Sequence, residues 1–366
     1  MSARLLIVHT ESSCGWGGQE IRILSEAQGL IRRGHAVRLL CPPDARIYSE
    51  AAAWGVPVVG LPIAKKRPAG IKALLEWFKR NRADVVSTHS STDSWLAALA
   101  LLALGRPFPL VRTRHISAPV PRNALSRWLY TCATARIVTA GESLKKELVE
   151  KNRFPVERID SVPTGIDAQC FKPGDRAAAR AMLRLPPGKK LVGIVATLRS
   201  WKGHRYLIEA IAALPETVGL VIVGDGPQRN SLEALIDKHR MRQRTWFAGN
   251  QRDVLPWMQA LDVFALPSYA NEGVPQALVQ AMLVGLPCVT TQAGSIAEVA
   301  VHERTGLLVS PQDVEALRKA LLRILEDAPL AARLGEAARQ HCSLRFSYQA
   351  MLDRMESIYR QASDRR

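Results

Sequence analysis

The chain has 366 residues, 47% of them hydrophobic, which is enough for two ordinary domains, and its Pro and Gly are spread throughout, which excludes a disordered or low-complexity protein. Its formal charge of +17 is uneven: residues 1–180 hold 27 of the 50 Lys and Arg but only 15 of the 33 Asp and Glu. Such a field attracts nucleic acid, anionic lipid or an acidic glycan, and composition alone does not choose among them.

From the start of the chain, MSARLLIVHT has only a short apolar run over residues 5–8 with no cleavage-like sequel, and reads as a first buried strand rather than a signal peptide. A Gly-rich turn, TESSCGWGGQE (10–20), follows and leads into an amphipathic run that stops at Gly34. Gly15, Gly17 and Gly18 let a backbone approach a phosphate, but the spacing is neither GxGxxG nor GK[ST], so neither standard nucleotide-loop reading applies. Strand-like runs then alternate with helix-like ones: AVRLLC (36–41), VPVVGL (56–61), DVVSTH (84–89), PLVRTRH (109–115) and ARIVTAG (135–141). This alternation implies a parallel, doubly wound α/β sheet. Two of these runs end in histidine, His89 and His115, at the sheet edge where such folds bind ligands. A single strand-end His is also an ordinary surface or capping residue.

The segment AKKRPAGIKALLEWFKRNR (64–82) is basic with Trp77 and Phe78 interleaved. It fits a membrane-surface contact, and equally a solvated helix whose aromatics pack inward. The longest apolar run, 95–104, is half a bilayer crossing and reads as a buried helix. Six scattered cysteines, with no CxxC pair and no His at metal spacing, fit a reducing cytoplasm and predict neither disulfide nor zinc site.

Residues 154–188 are rich in Pro, Gly and charge and fit a domain crossing. Beyond them a second sheet is predicted from KLVGIVATL (190–198), LVIVGDGPQRNSLEAL (220–235), which reads as strand, Gly turn at Gly224 and helix, TWFAGNQRDV (245–254) and DVFALP (262–267). Two α/β halves joined by a hinge imply a cleft that shields substrate from water. Arg199 and Lys202 stand where the first of these strands ends, and cations there suit a diphosphate. The stretch PSYANEGVPQALVQAM (267–282) places Glu272, Gly273 and Val274 at a strand-to-helix corner, with Pro275 suited to the first helical position. The corner is either an anion site or an ordinary turn.

Taken together, VPTGIDAQCFKP, VGDGP, DVFALPS, EGVPQALVQAM, GLPCVTT and TGLLVSPQD resemble, in order and spacing, the retaining glycosyltransferases of family 4 (glycosyl transferases group 1). The resemblance spans nearly the whole chain. It implies the GT-B fold: two Rossmann-like, doubly wound parallel-sheet domains facing across a cleft, an acceptor-side domain over 1–168 and a nucleotide-sugar domain over 169–345, with a helix over 346–366 crossing back to the first. It also implies a nucleotide diphosphate sugar as donor, retention of anomeric configuration and no obligatory metal or other cofactor. Carried over by motif, Gly17 and Gly18 lie under the diphosphate, His115 near the reacting carbon, Arg199 and Lys202 at the leaving diphosphate, and Glu272 on the donor sugar. Gly224, Gly273 and Val274 complete the donor site. The chain departs from the pattern at Thr197, where the family usually has Arg and Arg199 is the substitute, and at Gln280, where the usual ribose-binding Glu is an amide.

The expected acceptor is a glycan or glycolipid of the lipopolysaccharide type, met at the cytoplasmic face of a membrane by the basic first domain. Two alternatives remain at this stage. One is a nucleotide-sugar epimerase of similar architecture, which needs no acceptor. The other is a nucleic-acid-binding protein, disfavoured because no recognised motif or repeat of stacking aromatics is present.

Overall fold

The computed structural model describes residues 3–364. The chain forms two compact units, one of Met1–Thr164 with Gln349–Arg366 and one of Gly165–Tyr348. In the first, β1 (Leu6–Thr10), α1 (Gly18–Arg32), β2 (Ala36–Cys41), α2 (Arg46–Ala51), β3 (Val58–Gly60), α3 (Pro68–Arg80) and β4 (Val85–Thr88) follow one another. They are continued by α4 (Ser91–Ala103), β5 (Leu110–Arg114), α5 (Ala124–Trp128), β6 (Arg136–Thr139), α6 (Glu142–Glu150) and β7 (Ile159–Ser161). The second unit begins with α7 (Arg176–Met182), β8 (Lys190–Val195), α8 (His204–Ala212), β9 (Val218–Val223), α9 (Arg229–Lys238), β10 (Thr245–Gly249) and α10 (Leu255–Gln259). It closes with β11 (Val263–Leu266), α11 (Gln276–Leu283), β12 (Cys288–Thr291), α12 (Ile296–Val299), β13 (Leu307–Val309), α13 (Val314–Glu326) and α14 (Ala328–Arg345). The last helix, α15 (Tyr348–Ser363), packs within the first unit from Gln349 onward.

Both sheets are wholly parallel. Their orders are β3-β2-β1-β4-β5-β6-β7 and β10-β9-β8-β11-β12-β13. Each chain path starts in the middle of its sheet, winds outward, returns and winds the other way, so β1/β4 and β8/β11 are switch points, where the strand ends open a crevice for ligands. The strands read as continuous apolar runs because helices cover both faces: all six residues of β9 and all four of β11 are buried.

Three local predictions shift on folding. Residues 159–161, inside the stretch read as a domain crossing, pair with β6 as the edge strand β7, because their flanking Pro and charge mask a three-residue run whose Ile159 and Ser161 are buried. Pro275 is the residue just before α11 rather than its first residue, with ψ of 118°. In α3, Phe78 is buried and Trp77 half-buried against the core, which favours inward packing of the aromatics and leaves Lys72, Lys79 and Arg80 exposed on the opposite face. Near the C-terminus α14 ends at Arg345 and α15 starts at Tyr348, so the helix expected over 346–366 begins two residues later. All six cysteines are free thiols.

Candidate active site

In the second unit the loops after β8 and β11, the two switch-point strands, are laced together. Ser200–Lys202 forms a single 3-10 turn closed by Gly203 in the left-handed region (φ 77°). A Cβ on Gly203 would stand 2.0 Å from the Pro267 carbonyl oxygen, so only glycine lets the two loops approach this closely. The Tyr269 N–H donates to the Trp201 carbonyl at 2.9 Å, and the Tyr206 and Tyr269 rings meet edge to face at 6.0 Å. Asn271, at φ 58°, turns the chain just before Glu272, a conformation Asn tolerates better than most residues.

This lacing sets Lys202 against Glu272. The Lys202 ammonium donates to Glu272 Oε1 at 2.6 Å, and the Ser268 hydroxyl donates to the same oxygen at 2.6 Å. The Glu272 side chain is 4% exposed and that of Lys202 21%. Among the described residues Oε2 accepts no hydrogen bond, so one carboxylate oxygen is available to a ligand hydroxyl. The loop is pinned from behind as well: the Ser295 N–H donates to the Glu272 carbonyl at 3.3 Å, and Gly294 (φ 57°) passes so close that a Cβ would lie 2.0 Å from that oxygen.

The other residues expected in this unit lie on the loops and helix ends of the same sheet. Gly273 and Val274 are buried immediately ahead of α11, and half-buried Gln280 lies on that helix. Gly224 follows β9 and packs against the Ala196 carbonyl. Arg199 is exposed beside Thr197, with its guanidinium 5.7 Å from the Trp201 ring centre. His204, the first residue of α8, was not foreseen. It is buried with no partner for either ring nitrogen among the described residues, and burial and nearby Lys202 push its pKa down to about 3.

In the first unit Gly17 caps α1 with extended backbone and Gly18 begins it. His115 follows β5 and His89 follows β4, as expected, but sequence reasoning missed that His9 of β1 joins them. His9 Nδ1 lies 2.9 Å from His89 Nε2, and His89 Nδ1 lies 3.0 Å from His115 Nε2. Burial holds all three below the usual imidazole pKa, opposed at His9 by the charge of Glu26 and reinforced at His115 by Arg22 and Arg114. Beside them, the Tyr359 hydroxyl of α15 donates to Glu26 of α1 at 2.6 Å.

A second cluster missed from the sequence lies under the Gly-rich loop. Asp93 accepts from the Thr10 hydroxyl at 2.7 Å and from the backbone N–H groups of His89 and Ser90 at 2.9 and 2.8 Å. Glu11 accepts from the Ser13 N–H at 2.6 Å and from the Gln19 amide and the Ser90 hydroxyl, both at 2.5 Å. Burial raises the Glu11 carboxyl to about 8, with the negative charges of Asp93 and Glu20 adding to it, and raises Asp93 to about 6 against the hydrogen bonds it accepts.

Two Rossmann-ordered, wholly parallel sheets are the domain pair of the GT-B fold, the architecture of the glycosyltransferase structures this chain superposes on. Residues 16–169 match the model described as Glycosyltransferase Family 4, and residues 175–341 match that of Glycosyl transferases group 1. Together the two matches take in most of the chain, which belongs to glycosyltransferase family 4. A D-inositol 3-phosphate glycosyltransferase of Xylanimonas cellulosilytica is 28% identical, the alignment covering 96% of this chain and 93% of that one. Among solved structures, Anabaena Alr3699/HepE in complex with UDP-glucose superposes with a TM-score of 0.87 at 22% identity, over 97% of this chain and 99% of that one. WaaG, a glycosyltransferase involved in lipopolysaccharide biosynthesis, superposes at 0.74 and 20% identity, over 98% of both chains.

Proposed function

We propose that this glycosyltransferase moves a sugar, with retention of anomeric configuration, from a nucleotide diphosphate sugar to a hydroxyl of an anionic glycan or glycolipid at the cytoplasmic face of a membrane. The Lys202–Glu272 pair at the β8/β11 switch point carries this reading. As the bond to the anomeric carbon breaks, charge collects on the departing diphosphate. Fixed cations and backbone amides stabilise it without reorganising. In the proposal Lys202 supplies that charge, supported by Arg199 and by the amides of Gly273 and Val274 ahead of α11. Glu272 Oε2 accepts from a hydroxyl of the donor sugar, and the Gln280 amide bonds the ribose. Gly17 and Gly18 approach the diphosphate, Gly224 leaves room for the nucleotide, and His115 contacts the sugar. The acceptor hydroxyl attacks the face from which the diphosphate leaves, and a phosphate oxygen takes its proton. The scheme asks for no metal or other cofactor.

Support for a membrane-borne acceptor comes from the exposed Lys65, Lys66 and Arg67 at the start of α3 and from the likeness to WaaG. Among the described residues no helix is long and apolar enough to cross a membrane. A second reading has a small phosphorylated polyol as acceptor. It is favoured by the D-inositol 3-phosphate relatives and by Arg112, a buried guanidinium whose Nε and Nη1 have no partner among the described residues.

The test is a donor and acceptor matrix. UDP-, GDP- and ADP-sugars are screened for thermal stabilisation, since a ligand at a hundred times its Kd adds about 2.7 kcal/mol. The stabilising donor is then incubated alone, with a lipid-linked glycan and with inositol 3-phosphate, and the product anomer is assigned by NMR. A product with inverted configuration, or turnover of donor to its epimer without acceptor, contradicts the proposal.

A further inference from the structure

The three histidines of the first unit form a line that the sheet topology dictates. Strands β1, β4 and β5 are neighbours, and their register sets His9 opposite Ser87 and Ser87 opposite Val111. Side chains two apart on a strand share a face, so His9, His89 and His115 project from the same face at successive strand ends. Their ring centroids are 5.1 and 5.3 Å apart with interplanar angles of 20° and 31°. With nitrogen separations of 2.9 and 3.0 Å, that is the geometry of edge-to-edge hydrogen bonds lying near the ring planes, rather than face stacking.

A neutral imidazole carries one N–H and one bare nitrogen, so each ring in such a line donates at one end and accepts at the other. The protons are therefore linked, and reversing any one bond reverses all. The end groups decide the direction. His9 Nε2 is buried and has no partner among the described residues. A buried N–H left unpaired is rarer and costlier than an unpaired acceptor, so that nitrogen is the bare one. His9 then donates from Nδ1 to His89 Nε2, His89 donates from Nδ1 to His115 Nε2, and His115 keeps its proton on Nδ1. His115 is half-buried, and its Nδ1 has no partner among the described residues. The Ser87 hydroxyl stands 3.5 Å from His89 Nε2 and 3.0 Å from the Tyr359 hydroxyl, joining the line to the Tyr359–Glu26 bond of α15 and α1.

We propose that His9 and His89 are positioning residues that hold His115 in the Nδ1–H tautomer, so that its open nitrogen acts as a hydrogen-bond donor to a hydroxyl of the bound sugar. This rests on the reading that His115 contacts the donor sugar. His9 and His89 touch no ligand in that reading, and they act through the ring protons alone.

The experiment uses the full chain labelled with 15N-histidine, in which long-range proton–nitrogen correlations report the tautomer of each ring, alongside steady-state kinetics with the donor that stabilises the protein. The wild type is expected to show the Nδ1–H form at all three rings. In His9→Leu the line loses its terminal donor, so His115 is expected to populate both tautomers. Its kcat then falls by up to about tenfold, the loss of one neutral hydrogen bond, with donor KM little changed. In His9→Asn the side-chain amide replaces the Nδ1 donor and is expected to restore both readouts, which a merely structural role would not require. An Nε2–H form of His115 in the wild type, or the same His115 tautomer in the wild type and in folded His9→Leu, overturns the proposal. A changed tautomer with unchanged kcat overturns the positioning role. Unchanged kcat in His115→Ala would instead overturn the underlying reading of His115.

Discussion

Lys202 and Glu272 are 70 positions apart in sequence, yet their ammonium and carboxylate meet at 2.6 Å at the crevice between β8 and β11. Glu272 is buried and Lys202 half-buried, so the carboxylate depends on the ammonium and on the Ser268 hydroxyl for solvation. The pair holds a cation and a carboxylate in fixed places before any ligand arrives, as electrostatic preorganisation requires. The proposed division of labour, cation for diphosphate and carboxylate for sugar, separates the effects of removing either.

Glu272→Gln retains the shape of the side chain and removes its charge. The sugar then loses a charge-assisted hydrogen bond, and about 10- to 100-fold in kcat/KM for the donor is expected to go with it. Affinity for the nucleoside diphosphate without sugar should change by less, since Lys202 keeps its charge and loses only its partner. Parallel calorimetry of the two ligands checks this, and equal losses for both would place Glu272 outside sugar recognition.

Gly203→Ala forces a side chain into the left-handed region and against the Pro267 carbonyl, where no flexible group can yield. The 3-10 turn must shift and carry Lys202 away from Glu272. We expect a loss of about 2 kcal/mol or more in stability, by chemical denaturation, together with a larger fall in kcat than a remote substitution of equal ΔΔG produces.

Gln280→Glu restores the charge at the position proposed to hold the ribose. A charge-assisted bond exceeds a neutral one by about 1 kcal/mol, so nucleoside diphosphate affinity should tighten by roughly fivefold to tenfold in a calorimetric titration. A marked weakening would mean that the amide donates to the nucleotide, which the present scheme does not assign.

The carboxyls beneath the Gly-rich loop predict a pH dependence of stability. Glu11 titrates near 8 in the folded chain against an ordinary 4.5, so the folded state binds its proton more tightly than the unfolded state does. That contribution is complete below pH 4.5 and is lost as pH rises through about 8. Asp93, raised to about 6, acts in the same direction over the lower part of the range. The buried histidines, held below the usual imidazole range, act in the opposite direction below about pH 6.5, so the melting temperature of the wild type should fall between about pH 7 and 8, and Glu11→Gln should flatten that part of the profile. An identical slope in the variant would contradict the assignment.

Much of the architecture could be read from the sequence because parallel strands buried on both faces are written as short apolar runs. AVRLLC coincides with β2, and β10 forms the first half of TWFAGNQRDV. The edge strand β7 escaped notice because three residues flanked by Pro and charge carry no periodicity. The site was legible only in part, for a physical reason. Residues at strand ends, such as His89, His115 and Lys202, announce themselves by following an apolar run. Groups brought together by lacing between loops do not, and Ser268, the Gly203–Pro267 contact and the Glu11–Asp93 cluster belong to that kind. His9 was the exception. It sits within the first apolar run much as His89 and His115 close theirs, and comparing all three strand ends would have found it.

The most direct test of the donor site is the turnover of Lys202→Ala under saturating donor, in protein shown by its melting curve to be folded. Removing one preorganised group that acts on transition-state charge lowers kcat by about 10²-fold or more, and that is the loss expected here. A folded Lys202→Ala variant with near-normal kcat would contradict the proposal that this ammonium stabilises the departing diphosphate.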